Sequence, residues 1–460
     1  MDAGAVLRDA AERAISHLAG LDDRPVHASA TLVELRDALR LPLPDGPVDA
    51  ATVVAHLADA AGGGIVGTMS PRYFGFVIGG SHPAALAADW LVSAWDQNAG
   101  LYVGGPSVGV MEEVAADWLT DLLGLPANTS VGFVTGCQMA HFTALAAARH
   151  QVLAEVGWDV EERGLTGAPR VRIVVGEHRH VTVDRALRYL GFGTANIEVV
   201  AADGAARMDA DELDRLLGTG PAGPTIVCAQ VGEVNTGAID PVADISRVAH
   251  NHGAWVHVDG AFGLWAAASP TLRSLVVGLE EADSWATDAH KWLNVPYDSG
   301  LAFCAHPDAH RAAMAASAAY LERDEHSPRE QMDWNPEFSR RARGVPIYAA
   351  LRSLGRAGVA DLVDGSCRHA QRFADRLGAE PDVTVLNDVV LNQVLVAFET
   401  GVPTEEVVRR VQADGTCWLS GTTWQGRPAM RISVCNWQTT SADVDRSVAA
   451  IMKAAQPTKR

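Results

Sequence analysis

A lysine that follows a histidine and precedes a tryptophan and a leucine, in a turn between two apolar runs, is poorly placed for solvation and well placed for chemistry. Lys291 has those neighbours in DSWATDAHKWLNVPYDSGLAFC, directly after His290. A lysine at a helix start is ordinarily a solvated surface group, but here the flanks point to burial. Desolvation depresses a lysine pKa and leaves its amine free to form a Schiff base. Earlier in the chain Asp259 ends the apolar run WVHVD, and strand alternation puts His257 on the same face. A buried carboxylate needs a cationic partner. Asp259 is therefore the expected partner of Lys291, with capping of the following turn as its plainer role.

A protonated ring nitrogen would satisfy Asp259 as well, and pyridoxal phosphate is a cofactor that needs such an acid near a lysine. Its phosphate would need a cradle. TGCQMA follows a predicted strand and opens a predicted helix, so the N–H groups of Gly136, Cys137 and Gln138 point toward an anion. Glycine is common in such turns, so the signal is weak alone; no GxGxxG or GxxxxGK[ST] suggests a nucleotide. His178 and His180 stand between a strand and a helix in VVGEHRHVTVDRAL. No carboxylate or cysteine completes a metal set around them, so no metal is expected; a flat imidazole stacked on a flat cofactor is the functional reading, a solvated loop the plainer one. VGEVNTGAIDP adds Asn235 and Thr236 in a turn after the run TIVCAQV.

Elements must hold these residues together. From Ser130 onward seven short apolar runs, SVGFV, VRIVV, NIEVV, TIVCAQV, AWVHV, DSWAT and GLAFC, alternate with helical patterns such as MAHFTALAAARHQVLAEV. That alternation predicts an α/β domain with a mostly parallel seven-stranded sheet. Sites in such sheets lie at strand carboxyl ends, where Asp259 and the lysine turn fall. Residues 1–69 read as a helical segment, 70–343 as the large α/β domain and 344–460 as a smaller α+β domain with three strands, LNQVLVAF, TCWLS and AMRISV. The polar stretch between Ala315 and Arg343 joins the lobes and has the character of a lid.

Composition removes several function classes. A net charge of −19 repels nucleic acid and anionic membranes, and Lys and Arg are scattered with no basic patch. No apolar run reaches the ~20 residues of a membrane span, and the start reads as an acid-containing amphipathic helix, so a cytoplasmic protein is expected. The six cysteines form no CxxC pair and read as buried thiols.

In this order the motifs resemble the group II pyridoxal-phosphate decarboxylases, of the fold type I architecture. The likeness runs from SPRYFGFV through the cradle, EHRH, NTGAID, HVDGAFG and DAHKWLN to MRISVCNW, most of the chain; HVD…HKW is its specific part. The resemblance implies that Lys291 carries the cofactor, that Asp259 pairs with the pyridine nitrogen, and that His180 and Ala261 cover the two ring faces. It puts Thr236 close to the cofactor and Gly136, Cys137, Gln138 and His290 at the phosphate. Tyr320 falls where decarboxylases carry a loop tyrosine, the proton donor to Cα after carbon dioxide leaves. It implies a homodimer with sites at the interface. Two departures stand out: Asp288 replaces the asparagine of several animal members, and GCQM replaces a hydroxyl-rich cradle.

The expected activity is decarboxylation of an L-amino acid to its amine. Lysis of a carbon–carbon bond, transamination or aldehyde formation on the same scaffold, and a non-catalytic cofactor-binding protein, are the alternatives. Tyrosine at 320 favours simple decarboxylation, because aldehyde-forming relatives tend to carry phenylalanine there. Tyr73, Phe74 and Phe76, with Trp95 and Tyr102, offer walls for an aromatic side chain, or core and dimer packing. Arg72 lies where members acting on acidic substrates also carry an arginine.

Overall fold

The seven predicted runs form one sheet in the computed structural model of the chain, which describes residues 3–315 and 328–457. The strands β1 (Ser130–Val134), β2 (Arg172–Gly176), β3 (Ile197–Val200), β4 (Thr225–Gln230), β5 (Trp255–Asp259), β6 (Ser284–Asp288) and β7 (Gly300–Cys304) lie in the order β1-β7-β6-β5-β4-β2-β3. Every pairing is parallel except those of β7, which runs antiparallel to β1 and β6. Strands buried on both faces favour apolar side chains at most positions, which is why β1, β2, β4, β5 and β7 read as nearly continuous apolar runs, while the edge strand β3 carries the half-buried Glu198. Successive residues still choose opposite faces. Val227, Val256 and Val258 join the core with Leu119 and Phe133, while Ile226, Cys228 and Trp255 join the one with Leu145 and Leu187. His257 and Asp259 share the face of Trp255, toward the helix Cys137–Ala154.

A second, antiparallel sheet has the order β10-β11-β9-β8, from β8 (Val383–Val385), β9 (Gln393–Phe398), β10 (Ser420–Trp424) and β11 (Arg427–Ser433). The sequence predicts β9 and β11; β8, at three residues, is too short to show a period. The run TCWLS belongs to this sheet only at its last residue. Its middle pairs with the loop 72–74 instead, through Phe74 N–H to Trp418 O at 2.7 Å and Trp418 N–H to Arg72 O at 3.1 Å. The predicted long helix and its Arg-rich successor run end to end over Gly344–Gly378, broken where Gly355 takes φ 62°.

The linking stretch is pinned on its far side. Arg340 forks onto Glu112 with two bonds of 2.8 Å, both side chains fully buried, and also donates to Phe133 O at 3.0 Å. The helices Ala3–Ala19, Leu32–Leu39 and Ala50–Ala61 bury no residue in the single chain. Among the described residues no helix is long and apolar enough to cross a membrane.

Candidate active site

The carboxyl ends of β4, β5 and β6 and the helix start after β1 meet along one edge of the sheet. Lys291 lies in the turn between β6 and β7. Its amine is 3.0 Å from Asp288 Oδ2, so its ion-pair partner is Asp288 and not Asp259, as the sequence suggested. This also reverses the expected titration. Burial alone lowers the lysine pKa, but the adjacent Asp288 carboxylate outweighs it and holds the amine above the ordinary lysine range. Asp288 Oδ1 accepts from the Cys137 N–H at 2.5 Å and lies 3.4 Å from His290 Nε2. His290 Nδ1 accepts from Ser299 N–H at 3.1 Å, which leaves Nε2 as the protonated nitrogen facing Asp288.

Backbone fit fixes the turn. Asn294 takes φ 57°, a conformation asparagine tolerates better than most residues. Its amide donates to Trp292 O at 2.8 Å and Cys435 O at 2.9 Å, and its oxygen accepts from Trp437 N–H at 2.9 Å. One side chain thus ties DAHKWLN to the distant CNW run. Gly79 lies so near that a Cβ there would overlap the Lys291 carbonyl oxygen.

Asp259 is nearly fully buried. Oδ1 caps the turn by accepting from Ala261 N–H at 3.1 Å, and Oδ2 lies 3.5 Å from His141 Nε2. Burial opposes its charge, but His141, His180 and Lys291 together hold the carboxyl well below its usual range. Behind it runs a buried chain: His141 Nδ1 to His257 Nε2 at 2.9 Å, His257 Nδ1 to Ser284 Oγ at 2.9 Å, and Trp255 Nε1 to the same oxygen at 2.9 Å. Burial pushes His257 down to about 3, so it is neutral at working pH.

Lys291, Asp288 and Asp259 line a cleft of about 360 Å³, together with Gly136, Cys137, Gln138, His180, Ala261, His290 and Arg431. Burial pushes His180 down, leaving a neutral flat ring, and its Nδ1 is fixed by Thr182 Oγ1 at 2.8 Å. Both side-chain amide atoms of Gln138 are shielded from solvent and meet no partner. An amine, an ionised carboxylate, a neutral ring and an orphaned amide at a helix start fit pyridoxal phosphate, with Lys291, Asp259, His180 and Gln138 to hold it.

Some predicted site residues fall elsewhere. Thr236 does not line the cleft; its hydroxyl donates to Glu233 Oε2 at 3.0 Å, and Gln230, Gly232 and Val234 of the same turn face the cleft instead. Arg72 is committed to Thr416 O at 2.8 Å, Asp22 O at 3.0 Å and the carboxylates of Asp22 and Asp443. Phe74 belongs to the second core, edge-on to Phe373, and Tyr73 stacks on Trp418 at 5.1 Å. The loop reaches the cleft through Phe76 and Val77. His178 packs on Trp424. Tyr320 lies outside the described residues.

Sequence reasoning missed Arg431 and His141. Arg431 Nε is shielded and unpartnered, and its Nη1 lies 3.4 Å from Asn235 Oδ1. An arginine inside the apolar run AMRISV was the available signal.

Comparison with known proteins agrees with this geometry. Residues 34–400 match the model of the pyridoxal-dependent decarboxylase conserved domain. The aromatic-L-amino-acid decarboxylase of Bacillus atrophaeus is 25% identical over 448 residues, 94% of this chain and 90% of that protein. Phenylacetaldehyde synthase of Arabidopsis thaliana is 24% identical, over 90% of this chain and 88% of that one. A crystal structure of Oryza sativa TDC with PLP and tryptamine superposes with a TM-score of 0.91 at 23% identity, covering 99% and 97% of the two chains, and shares the fold. A family match across most of the chain, on a sheet whose strand ends gather a lysine and an aspartate in one cleft, makes this chain a member of the pyridoxal-dependent decarboxylases, carboxy-lyases that act on amino acids with pyridoxal phosphate.

Proposed function

We propose that the chain removes the α-carboxylate of an L-amino acid, aromatic side chains favoured, to give the amine and carbon dioxide, and that Lys291 is the amine that joins the cofactor aldehyde as a Schiff base. The observation that carries this reading is the convergence of Lys291, Asp259 and Arg431 on one cleft. When bound, pyridoxal phosphate supplies an electron sink for the pair left behind as carbon dioxide departs. Asp259, ionised and backed by His141, holds a proton on the pyridine nitrogen. His180 and Ala261 take the two ring faces, and Gly136, Cys137, Gln138 and His290 surround the phosphate. Arg431 meets the substrate carboxylate through its unpartnered edge. Phe76, Val234 and Phe262 give the cleft an apolar wall suited to an aromatic side chain. Tyr320, by its place in the family pattern, returns the proton to Cα.

Likeness to phenylacetaldehyde synthase supports a second reading, in which the same cleft, with dioxygen as oxidant, releases carbon dioxide, ammonia and hydrogen peroxide and yields an aldehyde. One experiment separates the two. Purified protein with pyridoxal phosphate is offered a panel of L-amino acids, and carbon dioxide, amine and aldehyde are measured together. Carbon dioxide with amine in equal amount, lost in Lys291→Ala, is the expected result. Aldehyde in place of amine gives the second reading, and no carbon dioxide from any substrate overturns both. We further propose that the working unit is a homodimer with sites at the subunit interface.

A further inference from the structure

One carboxylate in the cleft has the wrong charge for its place. Resting on the reading that this cleft takes pyridoxal phosphate, we propose that Asp288 is a built-in anion that occupies the positive end of the cleft in the empty enzyme and competes with the cofactor phosphate for it. The helix Cys137–Ala154 opens toward the cleft, and its first N–H, that of Cys137, is already bonded to Asp288 Oδ1 at 2.5 Å. The other oxygen holds the Lys291 amine at 3.0 Å, and His290 Nε2 stands 3.4 Å from Oδ1. Two donors that would otherwise greet a phosphate, the Cys137 N–H and His290 Nε2, thus converge with the Lys291 amine on one buried side chain.

Asp288 does not turn away from the cradle. Gly136 is shaped around it: a Cβ there would stand 3.4 Å from Asp288 Oδ1 and 3.1 Å from His290 Cε1. The Asp288 backbone is fixed as well, its carbonyl accepting from Trp265 Nε1 at 3.1 Å and its N–H donating to Ala261 O at 2.9 Å. An anion that takes the Cys137 N–H must therefore displace the carboxylate or neutralise it, since the main chain has no room to withdraw. The consequence is a cofactor held less tightly than the donor set alone would allow, and an empty form in which Lys291 keeps a partner. Asparagine at 288 would keep an acceptor for the lysine while removing the competing charge.

The test compares pyridoxal phosphate with pyridoxal, which carries the same ring and aldehyde and no phosphate. Cofactor-free wild type, Asp288→Asn and Asp288→Ser are titrated with each by absorbance, and inorganic phosphate is tested alone by thermal shift. Both variants are expected to bind pyridoxal phosphate about tenfold tighter than wild type. Pyridoxal should change little, and inorganic phosphate should raise the melting temperature of the variants more than that of wild type. Unchanged or weaker pyridoxal phosphate binding overturns the proposal, because Asp288 would then support the bound cofactor. Equal tightening of both compounds overturns it too, because the effect would run through Lys291 and not the phosphate. Wild type that binds neither compound is a different failure, that of the cofactor reading itself. Circular dichroism identifies a variant that has not folded, and the other substitution then decides.

Discussion

Arg431 sits in β11 between Met430 and Ile432, both fully buried, with its guanidinium turned into the cleft. Burial pushes its pKa down, with Glu233 opposing, and a buried guanidinium carrying a free edge calls for an anion. If that anion is the substrate carboxylate, Arg431→Met removes one side of a desolvated charge pair, worth about 3 kcal/mol. We expect kcat/KM to fall roughly 100-fold, with KM rising and cofactor absorbance unchanged. A variant with unaltered KM would remove Arg431 from substrate binding. Legibility at this scale followed chemical type. Lys291 announces itself as a lysine among apolar neighbours, and Asp259 and His180, each with a plainer role of its own, gain meaning from standing in order with it. His141 lies inside a helical run, and its significance depends on a contact with His257 on another element. No periodicity carries that contact. Asp288 was visible but not interpretable, because only the folded chain shows it between the helix start and the lysine.

Elements were read with more success where they are long or fully apolar. The strands of the large sheet coincide with short apolar runs because most of them are covered on both faces and have few polar positions to blur them. The loop 72–77 was misassigned for the opposite reason: its aromatics are consecutive, so sequence could not say that Phe74 enters the second core while Phe76 reaches the cleft. The lysine turn shows what joins elements. Asn294 spends its amide on Trp292 O and Cys435 O and its oxygen on Trp437 N–H, in a left-handed conformation. Asn294→Ala loses three bonds and adds backbone strain, a cost of about 3 kcal/mol. Asn294→Gly loses the same bonds but relieves the strain. We therefore expect both variants to melt below wild type, the alanine variant below the glycine one by roughly 1 kcal/mol. Denaturant unfolding checks this, and equal stability of wild type and Asn294→Ala would show that the turn is held by other contacts.

At the scale of the molecule the single chain leaves apolar faces open to solvent. Helices Ala3–Ala19, Leu32–Leu39 and Ala50–Ala61 have amphipathic sequences, yet bury no residue, and leave Leu7 at 67% and Val33 at 65% exposed. Most of the stability of a helix comes from packing its apolar face, so these helices of 8 to 17 residues, which touch one another but leave apolar residues open, have surface for a partner. The helix Pro83–Trp95 adds exposed Trp90, Leu91 and Trp95, and the loop before it presses Gly79 on the Lys291 carbonyl. Phe76, at the cleft, is 57% exposed. A second copy covering these faces would both pack the N-terminal helices and close the apolar wall of the cleft, which is the reason to place the sites at an interface. Light scattering should then give the mass of two chains. Removing residues 1–19 should leave the buried core of the large sheet intact, since this helix buries nothing in it, but weaken self-association. If the cleft is completed across the interface, the truncated protein should lose activity on dilution at concentrations where the full chain keeps it. A full-length protein that is monomeric and fully active would show instead that the exposed helices are covered by some other partner and that one chain suffices for the chemistry.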